Sequence, residues 1–162
     1  MDQLNRAIQL RESGSHEEAR SLLLRLIDEY PLNPAIWYQC AWIHDVMGLE
    51  SEAVPYYKKA LELGLTGEEK QGAVLGLGST YRTLGMYDEA QAVFEEAIQE
   101  FPERREFQVF YAMVLYNQQA YSKAMGILLK QLAETSTDQG IQDYKKAILF
   151  YADQLDRVWK IE

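Results

Sequence analysis

The sequence predicts an all-α fold of stacked antiparallel helix pairs, and three observations carry that expectation. First, the pattern Gly-x-x-x-x-Ala returns as Gly14…Ala19, Gly48…Ala53 and Gly85…Ala90, with a fourth copy, Gln119…Ala124, in which Gln replaces Gly. The first two copies are 34 residues apart, the middle two 37 and the last two 34. A period of this size marks a helical array whose units bury their apolar faces on one another. Second, another series of small residues, Ala7, Ala41, Gly78 and Ala112, runs ahead of the first in the same register. Small residues facing each other at a crossing let two helix axes approach closely while larger neighbours fill the grooves. Third, helix-start signals stand where the period needs them. Ser15-x-x-Glu18 and Thr66-x-x-Glu69 read as capping boxes, and Asn33-Pro34 places an N-cap before a proline at the first helical position.

Taken in order, the first pair (about residues 1–33) carries Ala7, Leu10, Gly14, Ala19, Leu23, Leu26 and Pro31. The second (34–67) carries Trp37, Cys40, Ala41, His44, Gly48, Ala53, Tyr57 and Ala60. Pro55 falls inside its second helix, near enough to the start to be tolerated, with a mild kink as the alternative. The third (71–104) reads Leu77-Gly78-x-x-Tyr81, then Gly85-x-Tyr87-x-x-Ala90, then Phe94, Ala97 and Pro102. Three extra residues near Glu68-Glu69-Lys70 lengthen its first helix at the start by nearly one turn. The fourth (105–138) keeps Tyr111, Ala112, Leu115, Tyr121, Ala124 and Leu128. Glycine ends each earlier first helix with a left-handed cap; Gln119 takes that conformation less readily, so a looser turn is expected there. The remainder, about 137–160, is expected as a ninth helix started by Ser136-x-x-Gln139, with Ile141, Tyr144, Ile148, Tyr151, Leu155 and Val158 as its apolar stripe. A terminal helix covers apolar surface that the last repeat would expose.

Four copies in register, the third nearly complete over the pattern W-x-x-L-G-x-x-Y…A-x-x-x-F…P, resemble the tetratricopeptide repeat (TPR). The resemblance covers about residues 1–138. It implies a right-handed α-solenoid of about nine helices, one domain over residues 1–162, and a scaffold or adaptor that binds a peptide or protein. Ligands of this family usually lie in a concave groove lined by the first helix of each repeat. Carried onto this chain, the groove positions are Tyr38, Gln39, Trp42 and Asp45 in repeat two; Gly72, Leu75, Gly76, Ser79, Arg82 and Thr83 in repeat three; and Glu106, Val109, Phe110, Met113, Tyr116 and Asn117 in repeat four. Tyr38, Trp42, Phe110, Met113 and Tyr116 are the expected walls. Gly72, Gly76, Ser79 and Thr83, spaced four, three and four, are the expected floor. Glycine inside a helix costs about 1 kcal/mol relative to Ala; close backbone approach by a partner is the expected reason for two of them, with tight packing within the solenoid as the alternative. Arg82 is the clear cation of this face, able to fork onto a carboxylate or carbonyls.

One subclass of the family grips a C-terminal carboxylate with a Lys/Asn/Asn/Lys/Arg clamp. The matching positions here are Leu4, Ile8, Gln39, Gly72 and Gly76, or Tyr38, Trp42, Gly76, Glu106 and Phe110 one repeat later. Neither register supplies Lys or Arg, so no such clamp is expected.

Composition narrows the function classes. The net charge of −9 leaves no surplus of Lys and Arg to displace counterions, so neither nucleic acid nor an anionic membrane is an expected partner. Cys40 is the only cysteine, the N-terminus lacks a signal-peptide layout, and no apolar run reaches about 20 residues; a cytoplasmic location is expected. Cys40 and His44 share a helix face, but both occupy core positions of the repeat, and a metal would need two more ligands. Gly76-x-Gly78 lacks the Lys-Ser/Thr end of a phosphate loop. No catalytic set can be assembled. No enzyme activity, cofactor or metal is therefore expected.

The alternative to a peptide-binding scaffold is a homodimerisation module. Ala147-Ile148-Leu149-Phe150-Tyr151-Ala152 is apolar through six positions, which goes fully round a helix. Repeat four can cover one side only, so the side centred on Leu149 and Phe150 needs a second surface, a neighbouring subunit or the chain's own groove; a dimer interface there is the expectation.

Overall fold

A computed structural model describes residues 2–160. Among them are ten helices and no strand. They are α1 (Asp2–Glu12), α2 (His16–Glu29), α3 (Pro34–Val46), α4 (Glu50–Glu62), α5 (Gly67–Thr83), α6 (Tyr87–Glu100), α7 (Glu106–Asn117), α8 (Tyr121–Thr135), α9 (Gln139–Asp143) and α10 (Lys145–Ala152). None of the described helices is long and apolar enough to cross a membrane. Contacts divide the chain into two compact units, Met1–Val93 and Phe94–Glu162, with the division inside α6.

In the first unit α1 packs on α2, α2 on α3, α3 on α4 and α4 on α5. The small residues of both series are buried, so the helix axes can close up at Ala7 and Ala19 and again at Ala41 and Ala53. Around the first crossing Leu22, Leu23 and Leu26 of α2 meet Ile36, Cys40 and Ile43 of α3. Around the second, Tyr38 and Tyr57 close over Ala73 and Leu77 of α5. In the second unit α7 packs on α8 and α10 on α8. Its core holds the fully buried Phe94 and Phe107, the first 6.1 Å from Phe110 and the second stacked on Phe101 at 5.7 Å. Truncating either buried ring to Ala would cost about 3–5 kcal/mol.

The extra residues do lengthen α5, to 17 residues against 13 for α3 and 12 for α7. Pro55 lies within α4, which continues past it to Glu62. Asn33 caps α3 as expected, its side-chain oxygen accepting from the Ala35 N–H at 3.1 Å, with Pro34 leading the helix. The other caps differ from expectation. Ser15 and Thr66 occupy N-cap positions, but neither side chain bonds a helical N–H. Ser15 sits at φ −80°, ψ 60°, outside the extended region that aims a cap oxygen into the first turn. Thr66 is followed by Gly67 at φ +59°, which bends the chain at the helix entrance.

The looser turn expected at Gln119 is absent. Gln119 takes φ +64° itself, beside +85°, +73° and +76° for Gly14, Gly48 and Gly85. The hydrogen bonds match too: Ala120 N–H donates to Leu115 O at 2.9 Å, as Leu49 does to His44 O and Met86 to Tyr81 O, both at 2.9 Å. The pair of bonds that closes a Schellman turn outweighs the steric cost of the side chain.

The single ninth helix over 137–160 is also corrected. It is two short helices that break at Tyr144, and helix ends at Ala152. Asp138, not Ser136, supplies the cap, accepting from Ile141 N–H at 3.0 Å. Gln142 Nε2 donates to the Ala133 and Ser136 carbonyls and ties α9 to the end of α8. Beyond Ala152 the chain is held along α8 rather than continued as helix. Lys130 pairs with Asp153 at 2.6 Å, Ser122 bonds Asp156, and Trp159 folds back on Phe150 and Tyr151.

Gln119→Gly is expected to stabilise the protein by about 1 kcal/mol, because it relieves a left-handed side chain while keeping both turn bonds. Chemical denaturation checks this: a raised midpoint at unchanged slope is the expected result.

Candidate functional site: the first-helix faces

Each unit presents the face of its first helices separately. In the first unit, α3 exposes Trp42 and, one turn on, Val46. Trp42 is 38% exposed, and the Arg11 guanidinium of α1 lies 3.7 Å over its ring. That stacking fixes a cation against one aromatic face by cation–π attraction. Arg11 belongs to this candidate face, and sequence reasoning missed it. Its signal was the register: Arg11, Asp45 and Arg82 occupy the same repeat position, 34 and then 37 residues apart. Arg82 is half-buried on α5, with Leu75 and Ser79 also half-buried and Thr83 exposed.

Tyr38 and Gln39, expected on the open groove, are buried. The glycine stripe serves packing within the chain, the alternative to an open floor for a partner. A Cβ on Gly72 would overlap the Tyr38 hydroxyl and lie 3.1 Å from Tyr38 Cζ. On Gly76 it would lie 2.5 Å and 2.7 Å from ring carbons of Tyr57. Two of the chain's own tyrosines thus make the close approach, and the glycines admit them. Spacing alone gave the stripe but not what fills it.

Behind this face lies a polar knot joining α3, α4 and α5. Tyr57 Oη donates to Asp45 Oδ2 at 2.7 Å. Thr80 Oγ1 lies 2.8 Å from the same oxygen and 2.8 Å from the Gly76 carbonyl, so its one proton can serve only one of them. Burial pushes the Asp45 carboxyl above its ordinary value; the Tyr57 and Thr80 bonds pull it back, and the Glu50 charge raises it further. Burial, then the Asp45 charge, holds the Tyr57 hydroxyl protonated. Burial likewise raises Tyr38.

Cys40 and His44 are both buried. His44 Nδ1 donates to the Cys40 backbone carbonyl at 2.6 Å rather than to its sulfur, and Nε2 accepts from Arg20 Nε at 3.2 Å. The ring stacks on Tyr56 at 4.7 Å. Burial pushes the Cys40 thiol up to about 12, which keeps it a protonated, unreactive core group. Among the described residues no three of His, Cys, Asp and Glu gather as a metal site would require.

In the second unit α7 exposes Met113 and Tyr116, with Phe110 half-buried beside Phe94. Met113, 39% exposed, holds the repeat position of Trp42. Tyr116 meets Tyr121 edge-on at 5.1 Å. Behind them Tyr111 Oη donates to Glu95 at 2.7 Å. Of the residues expected at a dimer interface, Leu149 is half-buried and Phe150 is exposed, its ring 5.3 Å from Tyr151. A cleft of about 570 Å³ lies between α8 and residues 152–157. Its charged lining includes Lys130 and Asp153, which are paired.

Antiparallel pairs with small residues at their crossings and side chains exposed on the first helices define a helical-repeat protein. A tetratrico peptide repeat profile matches residues 34–155, and a tetratricopeptide repeat profile matches residues 3–33. The chain belongs to the tetratricopeptide repeat family. Members of this family generally mediate protein–protein interaction and are typically non-catalytic. No curated protein matches the chain. Among solved structures it is similar to YrrB, a TPR protein with an unusual peptide-binding site: 18% identity, 97% of this chain and 78% of that one, TM-score 0.73. It is similar to a chain of the APC/C hetero-tetramer Cut9-Hcn1 at 19% identity over 93% of this chain, with TM-score 0.73, but spans only 29% of that chain. A tetratricopeptide repeat protein from Parabacteroides merdae is 20% identical over 93% of this chain and 61% of that one, with TM-score 0.67.

Two outcomes are expected. Gly76→Leu should destabilise the fold by about 1–3 kcal/mol, since the new side chain must displace the buried Tyr57 ring; a melting temperature equal to wild type would contradict this packing. Asp45 concerns pH. A carboxyl whose pKa rises on folding gives the folded chain the greater proton affinity. Its contribution to stability is full below the unfolded value, about 3.9, and is lost as pH rises through the folded value. Asp45→Asn should therefore gain stability relative to wild type as pH rises above about 4, measured as the difference between the two pH–stability curves.

Proposed function

We propose that this protein is a non-catalytic scaffold that binds a protein or peptide segment on its first-helix faces. On the first unit the contact centres on Trp42, with Leu75, Ser79, Arg82 and Thr83 of α5 beside it; Tyr38, Gly72 and Gly76 support that face from within. On the second unit Phe110, Met113 and Tyr116 of α7 serve in the same way. The observation that carries the reading is the exposed Trp42 with Arg11 stacked on it. A large apolar side chain left accessible and held rigid is the kind of group that dominates binding energy in protein interfaces. The peptide-binding site of the similarly folded YrrB supports the reading by likeness of fold.

The partner's chemistry follows from the residues. Trp42 and Val46 on the first unit, and Met113 and Tyr116 on the second, each offer exposed apolar and aromatic surface. A segment with apolar anchors fits best.

The test is affinity capture from a lysate of the source cell, followed by titration of the captured partner. Trp42→Ala should weaken binding at least tenfold, as expected for an aromatic hot spot, with helicity retained. Equal affinity of wild type and variant would reject the first-unit face.

A further inference from the structure

Tyr57 and its counterparts in the other repeats mark one position of the repeat unit. It falls at Leu23 on α2, Tyr57 on α4, Phe94 on α6 and Leu128 on α8, spaced 34, 37 and 34 residues apart. The first three are 1%, 2% and 0% exposed, each closed over by the first helix that follows it. Leu128 is 38% exposed. It is not isolated: Tyr121, Met125, Leu128 and Leu132, spaced four, three and four, are all exposed. At about 100° per residue these four fall within an arc of roughly 60°, one continuous seam along the whole of α8. Helix α10 does pack on α8, but on another side, where the Ala152 carbonyl crosses over Gly126. Among the described residues, no helix covers in the last repeat the seam that receives one in each earlier repeat.

We propose that a second copy of this chain covers the seam, α8 lying antiparallel to the partner's α8 about a two-fold axis between Gly126 and Ile127. The spacing is symmetric about that point. Tyr121 meets the partner's Leu132, and Met125 meets the partner's Leu128, so every apolar side chain finds an apolar counterpart. This self-complementarity is what a two-fold interface requires. Charge agrees. The residues flanking the seam, Ser122, Ala124, Leu129 and Gln131, are all uncharged. The charged residues of α8 are turned away and engaged elsewhere: Lys123 with Tyr111, Lys130 with Asp153 and Glu134 with Arg105. A chain of net charge −9 can meet itself here without placing like charges opposite each other, whereas a strongly charged partner would find no counter-charge. The interface goes beyond the first-helix binding faces and uses none of their residues.

Sedimentation equilibrium of the full chain tests the proposal. The wild type should be a dimer at micromolar concentration, and Met125→Glu with Leu128→Glu should be a monomer with unchanged helicity, since both side chains are exposed. Cross-linking reads the register independently. A mixture of Met125→Cys and Leu128→Cys chains should form more disulfide-linked dimer than either chain alone, with the buried Cys40 silent. Three results would each overturn the proposal: a wild type monomeric at several hundred micromolar, a double-Glu variant that remains dimeric, or a dimer lost on Phe150→Glu but kept in the double-Glu variant. Because Trp42 lies outside the seam, partner capture by the monomeric variant separates failure here from failure of the first-helix reading.

Discussion

The close approach of paired helices at small residues is the constraint from which the rest of each unit follows. With Ala7 against α2 and Ala53 against α3, the axes come near enough for large side chains on both flanks to reach the next helix. That reach is what buries Leu23 against Ile36 and Ile43, and Tyr57 against Leu77. A larger side chain at a crossing would push the axes apart and loosen every contact outside it. Stability in the first unit is thus built from nearest-neighbour contacts, α2 to α5 each resting on the helix before.

The same geometry explains a polar feature that would otherwise be unfavourable. Tyr57 fills the space left by Gly76, which carries its hydroxyl into a half-buried region where it must find an acceptor. Asp45 supplies it, and with Thr80 Oγ1 2.8 Å from the same carboxylate oxygen this one group brings three helices together. Leaving Tyr57 without that partner would cost the desolvation of a buried hydroxyl, about 1–3 kcal/mol. The backing of the Trp42 face is accordingly rigid, and a face held rigid by its own core loses little entropy when it binds.

The last repeat departs from this pattern because the chain after it does not repeat. Instead of a full first helix it offers the short α9 and α10, followed by a segment pinned to α8 through Asp153 and Asp156. That segment crosses α8 at Gly126, where the lack of a side chain admits the backbone. Its aromatic groups, Phe150, Tyr151 and Trp159, gather on one another rather than over Leu128.

The sequence by itself determined what depends on local pattern and period. The helix pairs, the longer α5, the turns at Gly14, Gly48 and Gly85, the Asn33 cap and the core positions of Cys40 and His44 were all legible. Each needs only spacing, propensity or a one-residue signal. Tertiary structure decided what depends on which neighbour arrives. Gly72 and Gly76 read as an open floor because spacing shows an absent side chain, not the tyrosine that enters the gap. Gln119 read as a weak turn because propensity counts a local cost and not the two hydrogen bonds that the paired helix makes worth keeping. The helix expected over 137–160 followed its apolar periodicity, but beyond Ala152 the chain is held instead by the Lys130–Asp153 ion pair, the Ser122–Asp156 bond and the contacts of Trp159 with Phe150 and Tyr151. The open seam on α8 follows the family pattern residue by residue. It is distinguished only by the side on which α10 packs, which no periodicity records.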